Sequence, residues 1–239
     1  MRALRVSLIA LVVLVGLAVG ADRLGLHLAE DKAAEQLRDR MEAQKSVRGS
    51  VDTSVSIDGF PFLTQLVSHD FDDVSLEFMG LTARTNDKDV RISKVNLHGS
   101  DVHTNGDFSS VRIERAKGRA FLSYDDLSGI VGGGTRVSWA GKDEPDKVRV
   151  TKEIPLVGEL TVTSSAAVKD RHSLRLNADE IDGDIGGIAK KVVEGVVRER
   201  FDRDWAFEEL PKEITFDEVR PTASGLVIEL SGKDVRFGD

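Results

Sequence analysis

The feature that most constrains this chain is a period of two. Val51, Thr53, Val55 and Ile57 alternate with Ser50, Asp52, Ser54 and Ser56. Successive side chains of a strand point to opposite faces, so this run describes a strand buried on one side only. The pattern returns at Val74, Leu76 and Phe78, at Val90 and Ile92, and at Val111 and Ile113. It returns again at Val148 and Val150, Leu160 and Val162, Leu174 and Leu176, and Leu226, Ile228 and Leu230. Val95 and Leu97 follow Ile92 in the opposite phase, the shift that a bulge produces. Turn-forming residues separate the runs at Asn86-Asp87, Asn105-Gly106, Gly132-Gly133-Gly134, Gly141 to Asp146 and Lys169-Asp170. Short strands at this density indicate an antiparallel meander with one apolar and one wet face.

Two segments break this period. From Leu26 to Gln44, Leu26, Ala29, Ala33, Ala34, Leu37 and Met41 recur at three- and four-residue spacing between charged residues, a narrow apolar stripe on a charged helix. Ile185, Ile188, Ala189, Val192, Val193, Val196, Val197 and Phe201 define a broader helical face opposite Lys190, Lys191, Glu194, Arg198 and Glu199. Asp182 and Asp184 stand at its start, where acid suits the helix dipole. So many β-branched residues give it modest helix propensity, so the helix needs a packing partner. The expected partner is the apolar sheet face, on which the helix either simply packs or, in the functional reading, leaves a gap that admits an acyl chain. A shorter helix is expected over Tyr124 to Val131, with Ser123 and Asp126 in capping-box spacing.

The N-terminus is of a third kind. Arg2 and Arg5 precede Val6 to Ala18, which is apolar except for Ser7 and Gly16, and Ala18-Val19-Gly20 supplies small residues before Ala21. This has the layout of a secretory signal. The alternative is a retained anchor, although Val6 to Ala21 is 16 residues, short of the roughly 20 a spanning helix needs. Either way, residues 1–21 read as a targeting or anchoring segment and residues 22–239 as one exported domain, periplasmic or held at the cell envelope. Arg2 and Arg5 on the cytoplasmic side agree with the positive-inside rule.

Composition narrows the function. The chain has 33 basic and 41 acidic residues, and loss of residues 1–21 leaves 31 against 41, net -10. Such a chain is a poor non-specific nucleic-acid binder. With no cysteine it has no disulfide, no Cys-ligated metal, no thiol nucleophile and no lipidated N-terminal Cys. Only 5% of residues are aromatic, so the core is aliphatic. His98, Asp101 and His103 form a ligand-type cluster, but strand geometry splits them between faces, and a polar turn is the better reading. Asp179, Asp182 and Asp184 lack the glycine and glutamate of a calcium loop. The three glycines at 132–134 lack the ending of a phosphate loop, and no Gly-x-Ser-x-Gly elbow occurs. No catalytic residue and no cofactor are assigned. Trp139 and Trp205 read as core or rim residues.

Residues 58–66 read Asp-Gly-Phe-Pro-Phe-Leu-Thr-Gln-Leu. A strand ends at Ile57, Asp58-Gly59 turns, and Phe60, Pro61, Phe62, Leu63 and Leu66 form an apolar group in which Pro61 leaves the ladder. Such a group is either a core plug under a turn or an apolar lip at a lipid entrance. The segment Gly59, Phe60, Pro61, Phe62, Leu63, Thr64, Gln65, Leu66 resembles the hallmark of the actinobacterial LmeA-like (lipomannan elongation factor A-like) phospholipid-binding family. The N-terminal apolar run, the charged helix, the Asp70–Phe78 strand, Leu210-Pro211 and the closing Gly225 to Gly232 stretch extend the likeness. The resemblance implies an exported phospholipid-binding protein. It also implies an α+β fold in which a curved antiparallel sheet wraps a long amphipathic helix, as in tubular lipid-binding domains. A role in making mannosylated envelope lipoglycans comes with it.

The expected mechanism is partition of acyl chains into an aliphatic groove, at about 0.8 kcal/mol per buried methylene. Phe60, Phe62, Leu63, Leu66, Ile188, Val192 and Val196 are the expected lining. The acidic chain leaves anionic headgroups to local cations such as Lys190, Lys191 or Arg198. The partners expected are a phospholipid and the cytoplasmic-membrane surface, with envelope glycosyltransferases as further candidates. A glycosyl-transfer enzyme acting on lipid-linked mannose and a structural accessory to membrane enzymes are the alternatives.

Overall fold

In the computed structural model the alternating runs resolve into two antiparallel sheets. It describes residues 2–43, 52–85, 88–154, 158–182, 204–206 and 211–237. The helices are α1 (Arg2–Ala43), α2 (Phe62–Ser68) and α3 (Tyr124–Val131). The strands are β1 (Asp52–Asp58), β2 (Asp70–Thr85), β3 (Lys88–Thr104), β4 (Val111–Ser123), β5 (Arg136–Trp139), β6 (Lys147–Ile154), β7 (Gly158–Asp170), β8 (Ser173–Asp182), β9 (Asp204–Ala206), β10 (Ile214–Pro221) and β11 (Gly225–Phe237). One sheet has the order β1-β2-β3-β4-β11-β10 and the other β5-β6-β7-β8-β9. The result is an α+β arrangement dominated by sheet.

Register explains the burial. Val55, Leu76, Leu97, Gly118, Leu230 and Phe216 stand side by side across the first sheet. Thr53, Phe78, Val95, Ala120, Ile228 and Val219 form the next row of the same face. A Cβ at Gly118 would lie 2.5 Å from Leu97 Cδ2 and 3.3 Å from Leu230 Cδ1, so the missing side chain lets the two leucines close over the strand. The apolar face of the second sheet, with Val148, Val150, Val162 and Leu176, joins Phe78, Val95 and Ile228 in one core cluster, and Leu127 and Ile130 of α3 belong to it.

The N-terminal helix differs from the sequence reading. A separate apolar run and a helix starting near Leu26 are one helix, α1, that passes through Asp22 and Arg23. Among the described residues no helix is long and apolar enough to cross a membrane. Of the second expected helix, Asp182 ends β8, and residues 183–200, including Ile188, Val192 and Val196 and the cations Lys190, Lys191 and Arg198, lie outside the described residues. The 124–131 helix forms where its pattern places it. Ser123 Oγ accepts the Asp126 N–H at 3.1 Å and donates to Asp126 Oδ2 at 2.7 Å. The Ser123 N–H is met by Ser93 Oγ rather than by the carboxylate of the usual box.

The phase change between Ile92 and Val95 sits opposite Gly80, whose φ is +73, with Leu81 paired to Ile92 and Met79 to Lys94. A second reversal follows where Asp101 and Asp234 each adopt a φ of 54. Beyond it Phe71, Val102 and Val235 turn inward to be buried. β5, β9 and β10 are strands the alternation does not announce. Trp139 on β5 donates from Nε1 to the Pro145 carbonyl, and Trp205 on β9 pairs with Leu174.

Gly225 opens β11 under the most severe steric constraint of the described glycines, since a Cβ there would lie 2.1 Å from the Leu122 carbonyl oxygen and 2.9 Å from the Phe121 ring. Overpacking of this kind costs about 1–3 kcal/mol. Gly225→Ala is expected to lower stability by that amount, read as a reduced denaturation midpoint at unchanged m-value.

Candidate functional site

The 59–66 segment forms a collar around the point where α1 leaves the body. Residues 14–21 of α1 are exposed, and eight residues make more than two turns, so this part of the helix projects clear of the body. Burial begins at Asp22 and Leu26. Asp22 is 2% exposed, and its Oδ1 accepts the Leu63 N–H at 2.7 Å, satisfying a free donor in the first turn of α2. α2 has no side-chain cap of its own, because its N-cap position is Pro61. The cap therefore comes from 41 residues earlier in the chain. Glu30 of α1 accepts the Ile57 N–H at 2.8 Å, which fixes the helix to edge strand β1.

Each hallmark residue has a physical task. Gly59 turns with φ +111, and a Cβ there would fall 2.4 Å from Gln65 Nε2. Gln65 is buried in that space, donating to the Asp58 carbonyl at 3.4 Å and accepting the Asp72 N–H at 2.9 Å. The Phe60–Pro61 peptide is cis. Phe62 is 1% exposed and packs with Leu26, Phe71 and Val102, while Leu66 is half-buried against the same cluster. Phe60 and Leu63 point outward, with the Arg23 guanidinium 5.5 Å from the Phe60 ring centroid. Of the four expected lining residues within the described chain, two are thus core and two are exposed.

The exposed pair has company. Val67 on α2 is 80% exposed, and Leu24 and Leu28 are exposed on the adjoining turns of α1. Phe108, exposed in the β3–β4 turn, lies with its ring centroid 5.3 Å from that of His69, the residue that ends α2, the two planes tilted by 40°. Phe237 pairs with Val111 at the same end of the sheet and is exposed too. Sequence reasoning missed Val67, Phe108 and Phe237 because isolated apolar residues in turns and strand ends carry no period.

The opposite face of the first sheet is polar. Ser56, Ser75, His98, Lys117, Ser231 and Thr215 stand in one cross-strand row. Ser54, Glu77, Asn96, Arg119 and Glu229 form the next, and the two rows, apart from Ser231 and Thr215, line a cavity of about 550 Å³. Ser75 Oγ and His98 Nδ1 lie 3.1 Å apart, and Asp73 Oδ1 is 3.1 Å from His98 Nε2. This is the contact order of a hydrolytic triad. β2 is sandwiched between β1 and β3, however, so the ladders consume the backbone N–H groups that would hold an oxyanion beside Ser75.

The His98, Asp101 and His103 cluster lies on β3, not in a turn, and each member has its own partner. Asp101 pairs with Arg115, and His103 with Asp70 at 2.6 Å and Glu114 at 3.6 Å. Among the described residues no three His, Asp or Glu side chains converge on a metal position. Asp179 and Asp182 stand on β8, Asp179 accepting from Ser165 Oγ, and Asp184 lies outside the described residues.

A family model described as LmeA-like phospholipid-binding matches residues 20–231. No curated protein and no solved structure matches the chain.

Two measurements check this geometry. Asp22→Ala removes the cap of α2 and is expected to cost about 0.5–2 kcal/mol, read by chemical denaturation. The hydrogen bond to Asp70, with the Asp70 and Glu114 charges, raises the His103 pKa above its ordinary value of 6.5 despite some desolvation. The pair therefore stabilises the fold fully below that value, and the contribution fades as pH rises through the elevated folded pKa. Asp70→Asn should lower the pKa found by NMR titration of the His103 ring, and its stability deficit should narrow over that rise in pH.

Proposed function

Because the chain belongs to the LmeA-like phospholipid-binding family, we propose that it holds or presents a membrane phospholipid outside the cytoplasmic membrane, with the α2 end of the first sheet turned to the bilayer. One observation carries the orientation. The projecting apolar part of α1 and the exposed Phe60, Leu63 and Val67 are held at the same place by the Asp22–Leu63 bond. Apolar surface gathered at one spot marks an interaction site. Side chains such as Phe, Leu and Val gain about 1.5–3 kcal/mol each on full transfer from water, so a few of them give a membrane foothold without any charge attraction.

The N-terminal run supports export, and it supports either release or tethering at that end. Val55, Val74, Leu76 and Leu97 on the apolar face are only half-buried, which supports an acyl-chain groove along that face. That is the arrangement of a tubular lipid-binding domain. Lipid supplied from such a groove suits the synthesis or upkeep of envelope lipoglycans, with envelope glycosyltransferases as the enzymes served.

The absence of cysteine makes the test clean. Single Val67→Cys and Asp125→Cys variants carry an environment-sensitive fluorophore, Asp125 being exposed on α3 at the far end of the sheet. Phospholipid vesicles should shift the emission of the Val67 probe to the blue and leave the Asp125 probe unchanged. Equal shifts at both sites would sink the orientation. Native mass spectrometry of the gently purified chain should show bound phospholipid, and protein that is empty and takes none from vesicles would sink the lipid reading. Leu63→Asp with Val67→Asp should weaken vesicle binding by at least about tenfold.

A further inference from the structure

The polar cavity on the first sheet is separate from the apolar end, and its charges are unevenly matched. Glu77 pairs with Lys94 at 2.8 Å. Glu229 takes Arg119 at 2.9 Å and Arg220 at 3.7 Å. Asp73 accepts the Ser100 hydroxyl at 2.7 Å and lies against His98. Arg115 is paired with Asp101. Lys117 alone among these charged groups has no hydrogen bond or ion pair among the described residues.

The surroundings of Lys117 are specific. His98 stands directly opposite it on β3 and Ser231 directly opposite on β11, with Ser75 and Ser56 continuing the row. Directly opposed residues in antiparallel strands have Cβ atoms about 5 Å apart, so one small ligand can touch Lys117 and its row neighbours together. Lys117 brings an ammonium with three donors, whereas Ser75 lies 3.1 Å from His98 Nδ1, Asp73 lies 3.1 Å from His98 Nε2 and Ser231 donates to Asp217 at 2.8 Å, so a phosphate meets Lys117 first and reaches Ser75 and His98 by displacing these contacts. The neighbouring row, with Asn96 and the paired Glu77 and Glu229, offers an amide and carboxylate oxygens instead. Such acceptors repel a second anion and welcome neutral hydroxyls.

We propose that this face is a binding site for a phosphate ester, with the phosphoryl group on Lys117, His98 and Ser75 and the organic group over Asn96 and Arg119. The cavity of about 550 Å³ is many times the size of a phosphate ion, so it has room for the rest of the ester. The site stands on this face alone and does not depend on how the apolar end is used. A lipid headgroup and a soluble phosphate ester share the chemistry that the site reads.

The test uses the full chain in a maltoside detergent, with glycerol 3-phosphate, inorganic phosphate and a short-chain phosphatidylglycerol as probes against chloride at equal ionic strength. Glycerol 3-phosphate should perturb backbone NMR signals of residues 54–56, 75–77, 96–98 and 117–119 in a saturable way. Lys117→Ala should weaken that binding by at least about tenfold, and Lys117→Arg should keep most of it. Lys117 is exposed, so neither substitution threatens the fold. Tighter binding of phosphatidylglycerol than of glycerol 3-phosphate identifies a lipid headgroup as the source, and the reverse order identifies a soluble ester. Unperturbed signals, equal effects from chloride, or undiminished binding in Lys117→Ala would overturn the site. Vesicle binding through the α2 end is read separately and should be unaffected by Lys117→Ala.

Discussion

Across the central strands of the first sheet, each residue has only two places to go. One face meets the core shared with the second sheet, and the other meets water. That segregation decides how the rest of the chain is used. The row of Phe78, Val95, Ala120 and Ile228 is committed to packing, and serines, His98 and Lys117 on the same strands are displayed in ranks on the far side. Neither set can be changed without slipping register, since a one-residue slip exchanges the faces. Chemistry and stability are therefore carried by alternate residues of the same strands.

The ends of the sheet obey a different rule, because turns have no obligatory face. At the α2 end the chain uses a buried carboxylate to join elements distant in sequence. A buried carboxylate costs several kcal/mol unless it is bonded. The Leu63 N–H meets one Asp22 oxygen, while the other has no partner among the described residues. Cutting the contact would leave both a buried charge and an uncapped helix, so the position of α1 is tied to the conformation of the hallmark segment. Gly59 and Gln65 tighten the same joint from the strand side.

Much of this was legible in the sequence, and the exceptions share a cause. Strands β1 to β4, β6 to β8 and β11 follow from local alternation, and the α3 boundaries follow from Ser123 and Asp126. β10 escaped because a register shift between Phe216 and Glu218 breaks its period, and β5 because it has four residues with one buried valine. α1 reads as two segments because Asp22 and Arg23 interrupt the hydropathy, although one Asp22 oxygen is bonded by a partner 41 residues away. The hallmark announces a turn and an apolar group, yet only the fold separates inward Phe62 from outward Phe60 and Leu63. The row through His98 and Lys117 is invisible to any local pattern, since it depends on the relative register of six strands.

The acidic balance of the chain acquires a geometry from this division. With a net charge of -8 the protein gains nothing from general attraction to an anionic bilayer. At physiological salt, however, exposed charges are screened within about 8 Å, so what matters is the local set of groups at each surface. At the α2 end that set is apolar, with Arg23 lying over Phe60. On the polar face Lys94 pairs with Glu77, Arg119 and Arg220 pair with Glu229, Asp73 lies against His98 and Ser100, and Asp217 accepts from Ser231, while Lys117 has no partner among the described residues. The two surfaces thus differ in the physics they exploit, one desolvation and the other charge-assisted hydrogen bonding. The strands of one sheet run between them and fix their separation.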